Sequence, residues 1–444
     1  MIITLVTATI EVEPGWAVGA VTHSDPTVDR DILLDAAERP WVPGSALAGS
    51  LRAHLRAAQP PADERLMGSP PAHNKAEADR SIASPLWIVG CAFDPGDAAD
   101  GDTVDALEIA GQTAIHRERG AATEKSLRIS RLAASGGCLT VYLRHDAANG
   151  QPLSDADLKL ISTWRPAIGR DRTKGSGRAT LVHLKSGIID PATSAGARIW
   201  LTQDGPELFT AVATRELICS AEDHPWLEAR FDITDGLLIG DGLPKLTSPK
   251  AARRDQTSAE DGRRPPVARS RQRTGRPLIP GSAWKGIIRS RTEFIIRSRY
   301  GEEAACQQQT DCCTCVTCEV FGHQGQRGLL AFRDSYIEQA RVEPERTHVG
   351  IDRVTGGSRD ALLFQTQPVA AGQVVLRIDQ LGDVQPWVRA TIWHVLRDIH
   401  DGLIGVGSRT TRGLGTLRLA DPPSSLEPVV IPSLESSAER EVTT

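Results

Sequence analysis

Arg39-Pro-Trp-Val-Pro-Gly-Ser-Ala-Leu-Ala-Gly49 returns as Arg276-Pro-Leu-Ile-Pro-Gly-Ser-Ala-Trp-Lys-Gly286, an offset of 237 residues. Two further stretches repeat in the same order. Ile115-His-Arg-Glu-Arg-Gly120 matches Ile351-Asp-Arg-Val-Thr-Gly356 at an offset of 236. Ile168-Gly-Arg-Asp-Arg-Thr-Lys-Gly-Ser-Gly177 matches Val406-Gly-Ser-Arg-Thr-Thr-Arg-Gly-Leu-Gly415 at an offset of 238. One such match arises by chance, but three in order at nearly constant spacing mark an internal duplication. The 444-residue chain, too long for one ordinary core, is therefore read as two copies of one domain. They cover residues 1–186 and 227–420, with 187–226 as a linker and 421–444 as a flexible tail.

Each copy has the same coarse plan. A first strand (2–12; 227–233) runs into a turn at Gly15 or Gly236. Pro-Gly-Ser then opens a helix, expected over 45–58 and 282–299. Alternating strands follow at 137–143 and 374–378, then a second helix at 154–164 and 386–399. Ser154 and Asp157 have capping-box character. A glycine-rich loop and a last strand (179–184; 414–419) close the unit. That order gives an α+β fold made of two tandem ferredoxin-like or RRM-like domains.

Bulk composition narrows the function. The net charge of −5 excludes a general polycation, and aromatics at 4% leave little for base stacking. RNA, if bound, would be held mainly through its backbone. No apolar run reaches the ~18 residues needed to span a bilayer. The first ten residues alternate like a strand and lack signal-peptide features, so the chain reads as cytoplasmic. The loop from 243 to 275 is longer than its counterpart, and from Lys245 to Arg276 ten Lys/Arg stand against three acids. It reads either as a solvated insertion or as a basic arm reaching for phosphates.

The glycine-rich loops are the main phosphate candidates. Gly169, Gly175 and Gly177, and again Gly407, Gly413 and Gly415, let backbone amides turn toward an anion. Arg170, Arg172 and Lys174 supply charge in the first loop, Arg409 and Arg412 in the second. The helix starts at Gly44-Ser45 and Gly281-Ser282 add a second anion-friendly end to each copy, with Arg52, Lys285 and Arg289 on the helices that follow. Ordinary capping and solvated cations are the plainer explanation.

Five of the eight cysteines fall between 306 and 318. Clustering of that kind favours a metal over disulfides, and four thiolates complete a tetrahedral zinc shell. The expected ligands are Cys306, Cys312, Cys315 and Cys318, with Cys313 as an alternate and His323 as a further candidate. A closed shell implies structural Zn2+ stapling an insertion that the first copy lacks. Cys91, Cys138 and Cys219 read as small buried hydrophobes.

Together these motifs resemble the RAMP superfamily, in particular the backbone subunits of type III CRISPR–Cas effector complexes. They are Pro-Gly-Ser-x-x-x-Gly, a cysteine cluster ending in Val320-Phe-Gly322, Ile351-Asp-Arg-x-Thr-Gly356 and a late basic glycine-rich loop. Residues 227–420 carry all four; residues 1–186 carry three in looser form. The tandem arrangement resembles fused subunits of III-D-like effectors. The resemblance implies an RRM-like palm that grips guide RNA in antiviral defence. It also implies a thumb hairpin that interrupts the guide–target duplex, based at 115–120 and 351–356, with Arg117 and Arg353 near RNA. Implied partners are guide RNA, complementary target RNA and other effector subunits, with no membrane.

The resemblance further implies target-RNA cleavage by an aspartate before Pro-Gly-Ser, with Mg2+ or Mn2+ assisting attack of a 2′-OH on the adjacent phosphate. Asp29 and Asp35 have the implied spacing, although Asp31 stands where the pattern has proline. In the second copy Arg264 and Ser270 occupy the acidic places, leaving nearby Asp261 as the candidate and Asp255 as its alternate. Three other readings stay open. One is a non-cleaving RNA scaffold. Another is a metal-independent guide-processing endoribonuclease using His23, His54 or His116. The last is a zinc-containing protein-interaction module.

Overall fold

Alternation in the first ten-residue strand β1 (Ile3–Val12) buries Leu5, Val6, Ala8 and Ile10 and seats the strand at the centre of a sheet. This computed structural model describes residues 2–20, 27–70, 81–95, 107–117, 119–146, 150–219, 224–241, 267–306 and 315–434, without the side chains of 359–362. After β1 come α1 (Gly44–Ala57), α2 (Asp63–Met67), β2 (Leu86–Asp94), β3 (Leu107–Gln112), β4 (Arg128–Ala133), β5 (Gly137–Asp146), α3 (Asp155–Ser162) and β6 (Ala179–Ile189). β1 pairs antiparallel with β5 on one side (Val6 opposite Leu143) and β6 on the other (Val6 opposite Ser186). β2 pairs with β5 at the edge. On α1, Leu47, Leu51 and Leu55 form an i, i+4, i+8 stripe buried against that sheet.

Residues 187–226 are more than the expected linker. α4 (Ser194–Thr202) and α5 (Gly205–Val212) lie within them, and Leu208 and Phe209 pack on Ile3 and Leu5. β7 (Arg215–Leu217) then adds to the edge of β6, so the sheet reads β2-β5-β1-β6-β7. Burying apolar side chains on the first sheet is what holds this segment in place.

The second half begins with β8 (Leu227–Ile233). Short strands β9 (Val267–Arg269), β10 (Gln272–Arg273) and β11 (Arg276–Ile279) lead into α6 (Gly281–Tyr300). Next are α7 (Val316–Phe321), the hairpin β12 (Gly322–His323) and β13 (Gln326–Arg327), β14 (Leu330–Phe332) and β15 (Ser335–Val342). β16 (Arg346–Ile351), β17 (Ser358–Gln367), β18 (Val369–Gln380), α8 (Pro386–His400) and β19 (Leu417–Leu419) complete it. The main sheet reads β10-β11-β15-β18-β8-β19, with β14 also on β18. Its last four strands, β15-β18-β8-β19, have the same sequence of pairings as β2-β5-β1-β6 in the first sheet. Both sheets are antiparallel throughout, and the fold is mixed α/β of the ferredoxin-like kind.

Each half projects a hairpin away from its sheet: β3–β4 in the first, β16–β17 in the second, with β9 running parallel to β17. The repeated segments 115–120 and 351–356 form hairpin tips rather than bases. Gly120 N donates to His116 O at 2.9 Å and Gly356 N to Asp352 O at 3.0 Å, closing matching turns. The tail is also only partly as expected. Val429 and Ile431 are buried in the second core, and the Tyr300 hydroxyl bridges Val429 O and Ile431 N. Residues 435–444 lie outside the described residues.

Candidate nucleic-acid interface and thiolate centre

The two glycine-rich loops have one shape. The backbone is left-handed at Gly169, Asp171, Gly175 and Gly177 (φ +71, +57, +93, +72) and at Gly407, Arg409, Gly413 and Gly415 (φ +90, +60, +82, +88). A short 3-10 turn, Arg172–Lys174 or Thr410–Arg412, sits between. Ile168 N donates to Gly177 O at 2.9 Å, and Val406 N to Gly415 O at the same distance. A Cβ on Gly177 would fall 1.7 Å from Ile168 O, and one on Gly415 2.2 Å from Val406 O, so only glycine fits these two positions.

Their surroundings differ. The first loop is clamped onto the start of α6. The Gly281 position touches Lys174 and Gly175, and Lys285 Nζ donates to Thr173 Oγ1 at 3.0 Å. Burial, reinforced by the Lys174 and Arg289 charges, pulls the Lys285 pKa down to about 8 against the opposing pull of Asp171. Beneath the loop runs a buried ionic network. Asp334 accepts from Gly281 N at 2.7 Å and pairs with Arg273 at 2.6 Å. Arg273 and Arg271 both pair with Glu108 of β3, at 2.8 and 2.9 Å. Burial opposes the charge of Arg273, yet Asp334 and Glu108 raise its pKa above the ordinary arginine value. The second loop meets no such partner. Arg409 lies 4.7 Å over the Phe364 ring, while Arg412 and Gly413 are exposed.

Most cations singled out in the sequence turn inward. Arg170 donates to the carbonyls of Asp31, Arg30 and Arg131. Arg52 donates to those of Met67 and Gly68 at the end of α2. Lys174 pairs with Asp171 at 3.1 Å. Arg117 reaches from the β3–β4 tip to Glu293 of α6 at 3.0 Å, and Arg289 reaches the same carboxylate at 2.9 Å. Gly44 and Ser45 open α1 without a side-chain cap, as Gly281 and Ser282 open α6. Arg353 is exposed at the β16–β17 tip, and Gly407 is exposed in the second loop.

Three cations that remain available gather in a cleft of 570 Å³ between the first loop and the β13–β14 and β18 ends of the second half. Arg165, Arg172 and Arg327 line it, all exposed and without a hydrogen-bond or carboxylate partner among the described residues. Burial and the nearby Arg327 charge lower the Arg172 pKa. Arg178 and Arg333, on the same wall, pair with Glu13 and Asp379. Two uncompensated guanidinium groups side by side in a cleft repel each other until an anion arrives. Arg172 was visible in the sequence as a loop cation. Arg165 and Arg327 were missed, and only the loop's neighbours in space identify them.

The aspartates before the first Pro-Gly-Ser separate by environment. Asp31 is buried and pairs with Arg131 at 3.2 Å. Asp35 accepts from Ala37 N and Arg39 N and pairs with the Arg39 side chain, locking the turn ahead of Pro40. Those hydrogen bonds, with that of Arg39 N first, hold its carboxyl below the usual range. Asp29 is exposed at the foot of β4, where one oxygen accepts from Ile129 N at 2.7 Å. Asp255, Asp261 and Arg264 lie outside the described residues. Among the histidines, His54 is bound to Leu160 O and its pKa is lowered by burial, His116 Nδ1 accepts from Arg119 N, and His23 lies outside the described residues.

Cys306, Cys315 and Cys318 converge, their sulfur atoms within 4.8 Å of one another and the Cys306–Cys318 pair 3.5 Å apart. Thiolates bound ~2.3 Å from a tetrahedral zinc sit about 3.8 Å apart, so the trio is compatible with a structural zinc. Cys312 and Cys313 lie outside the described residues, and His323 bonds instead to Gln324 O and Gln326 Oε1. Of the two aspartates expected to work with Mg2+ or Mn2+, Asp29 is described and Asp261 is not. Among the described residues Asp29 joins no group of three side chains able to hold an ion.

Residues 230–418 match the RAMP superfamily, whose members are generally associated with CRISPR RNA-binding complexes. No curated protein matches the chain. Among the described residues no helix is long and apolar enough to cross a membrane.

Proposed function

We propose that the chain, with its RAMP match over residues 230–418, is an RNA-binding subunit of a type III-like CRISPR effector. In this reading residues 1–186 hold a second, diverged copy of the same domain, the two projecting hairpins are thumbs, and guide RNA is gripped by its phosphates. Other effector subunits and a complementary target RNA are the partners. One observation carries the proposal. Arg172 from the first half and Arg327 from the second face a shared cleft beside a glycine-rich loop, both without a carboxylate. A phosphodiester is the anion that would relieve their repulsion, and no base stack is required.

Reversing these charges tests it. Arg172→Glu and Arg327→Glu should each weaken binding of a labelled single-stranded oligoribonucleotide by about tenfold at moderate salt. Arg276→Glu, at an exposed side chain outside the cleft, should change it little. Equal losses from all three variants would reduce the cleft to general electrostatics.

A cleaving role is a second, narrower proposal, favoured by the exposure of Asp29, of which one oxygen is held by Ile129 N. In such a step the 2′-oxygen forms a bond to phosphorus and the 5′-oxygen leaves with a proton, giving a cyclic phosphate and a 5′-hydroxyl. Asp29 would position the strand. Asp29→Asn keeps the acceptor for Ile129 N, so it should abolish target cutting by the assembled complex and leave RNA binding within about twofold. Cutting at the unaltered rate would move catalysis away from Asp29, and an unaltered complex that cuts no target would leave the non-cleaving scaffold.

A further inference from the structure

We infer that Arg117, carried on the hairpin tip of the first half, is the counter-ion of the thiolate metal site in the second half, so that metal loading and seating of that tip are coupled. The inference rests on reading the cysteine trio as a metal site and is independent of RNA binding. The geometry begins at Glu293, which is fully buried and shared by two guanidinium groups, Arg117 at 3.0 Å and Arg289 at 2.9 Å. One carboxylate leaves one positive charge uncompensated in a buried setting, which is costly. The second negative charge is supplied by sulfur. Arg117 Nη2 lies 3.6 Å from Cys306 Sγ, and Arg289 Nη2 lies 3.1 Å from Cys318 Sγ. The three thiolates described, with a divalent ion, carry one net negative charge, and a fourth from Cys312 or Cys313 would make it two, so sulfur supplies at least the charge that the carboxylate leaves over.

Arg117 and Arg289 differ in how they are held. Arg289 belongs to α6, and its Nη1 also donates to Gly322 O at 2.8 Å. Arg117 comes from a turn 173 residues earlier, where Ser290 Oγ donates to its carbonyl at 2.9 Å. Losing the anionic cluster therefore weakens the seat of the first-half tip more than α6 itself. In turn, Arg117 acts as a positioning residue that fixes Cys306 beside the ion site. Such outer contacts typically change metal affinity 10- to 100-fold.

The test uses the full chain loaded with zinc. Transfer of zinc to a colorimetric chelator should be about tenfold faster for Arg117→Ala than for the unaltered chain, with Arg117→Lys in between. On the unaltered chain, metal removal should raise trypsin cleavage after Arg117 about fivefold relative to cleavage after exposed Lys125. A chain that takes up no zinc overturns the metal reading and the inference with it. Bound zinc with equal release from all variants, or an unchanged cleavage ratio on chelation, overturns the coupling alone.

Discussion

Arg273→Ala is expected to cost about 3–5 kcal/mol of stability, because it breaks a buried pair with each of two carboxylates, Glu108 and Asp334. Arg273 is 3% exposed at its side chain and bridges Glu108 of the first half to Asp334 of the second, at 2.8 and 2.6 Å. Removing it leaves Asp334 with the Gly281 amide and Glu108 with Arg271. The two halves should then separate at lower urea, turning one cooperative transition into two. Arg276→Ala is the matched control. Its pair with Glu338 has similar length (2.9 Å), but both side chains are more than half exposed, so its loss should cost no more than about 1 kcal/mol. Urea unfolding followed by tryptophan fluorescence reads both variants. Equal shifts would show that the buried network does not join the halves.

The second large effect separates the two helix starts. A Cβ on Gly281 would stand 2.0 Å from Phe332 O and 2.8 Å from the Lys174 carbonyl carbon, both backbone. Gly281→Ala must therefore push the first loop off α6, at a cost of about 3 kcal/mol by overpacking. It should also open the cleft and lower RNA affinity by about tenfold, since Arg172 rides on that loop. At the equivalent Gly44 the nearest atoms to a Cβ belong to Ile88, at an ordinary 3.5 Å. Gly44→Ala should be neutral to within about 0.5 kcal/mol. Thermal unfolding of the two variants decides the matter, and similar melting temperatures would contradict the clamp.

Much of the fold could be read from residue types because it is locally determined. Glycine positions dictated a loop that folds identically at 169–177 and 407–415, and Ser154 with Asp157 capped α3 as expected. The cysteine spacing likewise brought three sulfur atoms together. What failed was the fate of individual cations. Arg117, Arg170 and Arg289 stand in basic motifs, yet apart from the i, i+4 pair of Arg289 with Glu293 the partners cited for them lie 29 to 189 residues away, and nothing local announces those. The 187–226 segment is different. Its apolar spacing, Ile199 and Trp200 then Leu208 and Phe209, and the Asp204-Gly205-Pro206 helix start were visible and could have identified α4 and α5.

The most direct test of RNA held by its backbone across the inter-half cleft is the salt dependence of oligoribonucleotide affinity. It should be measured for the full chain and for the Arg172→Glu, Arg327→Glu double variant. The unaltered chain should lose affinity steeply as salt rises, and the double variant should show a slope shallower by at least about 1.4, the share of two single-strand phosphates. Binding that ignores salt, or two curves of equal slope, would contradict it.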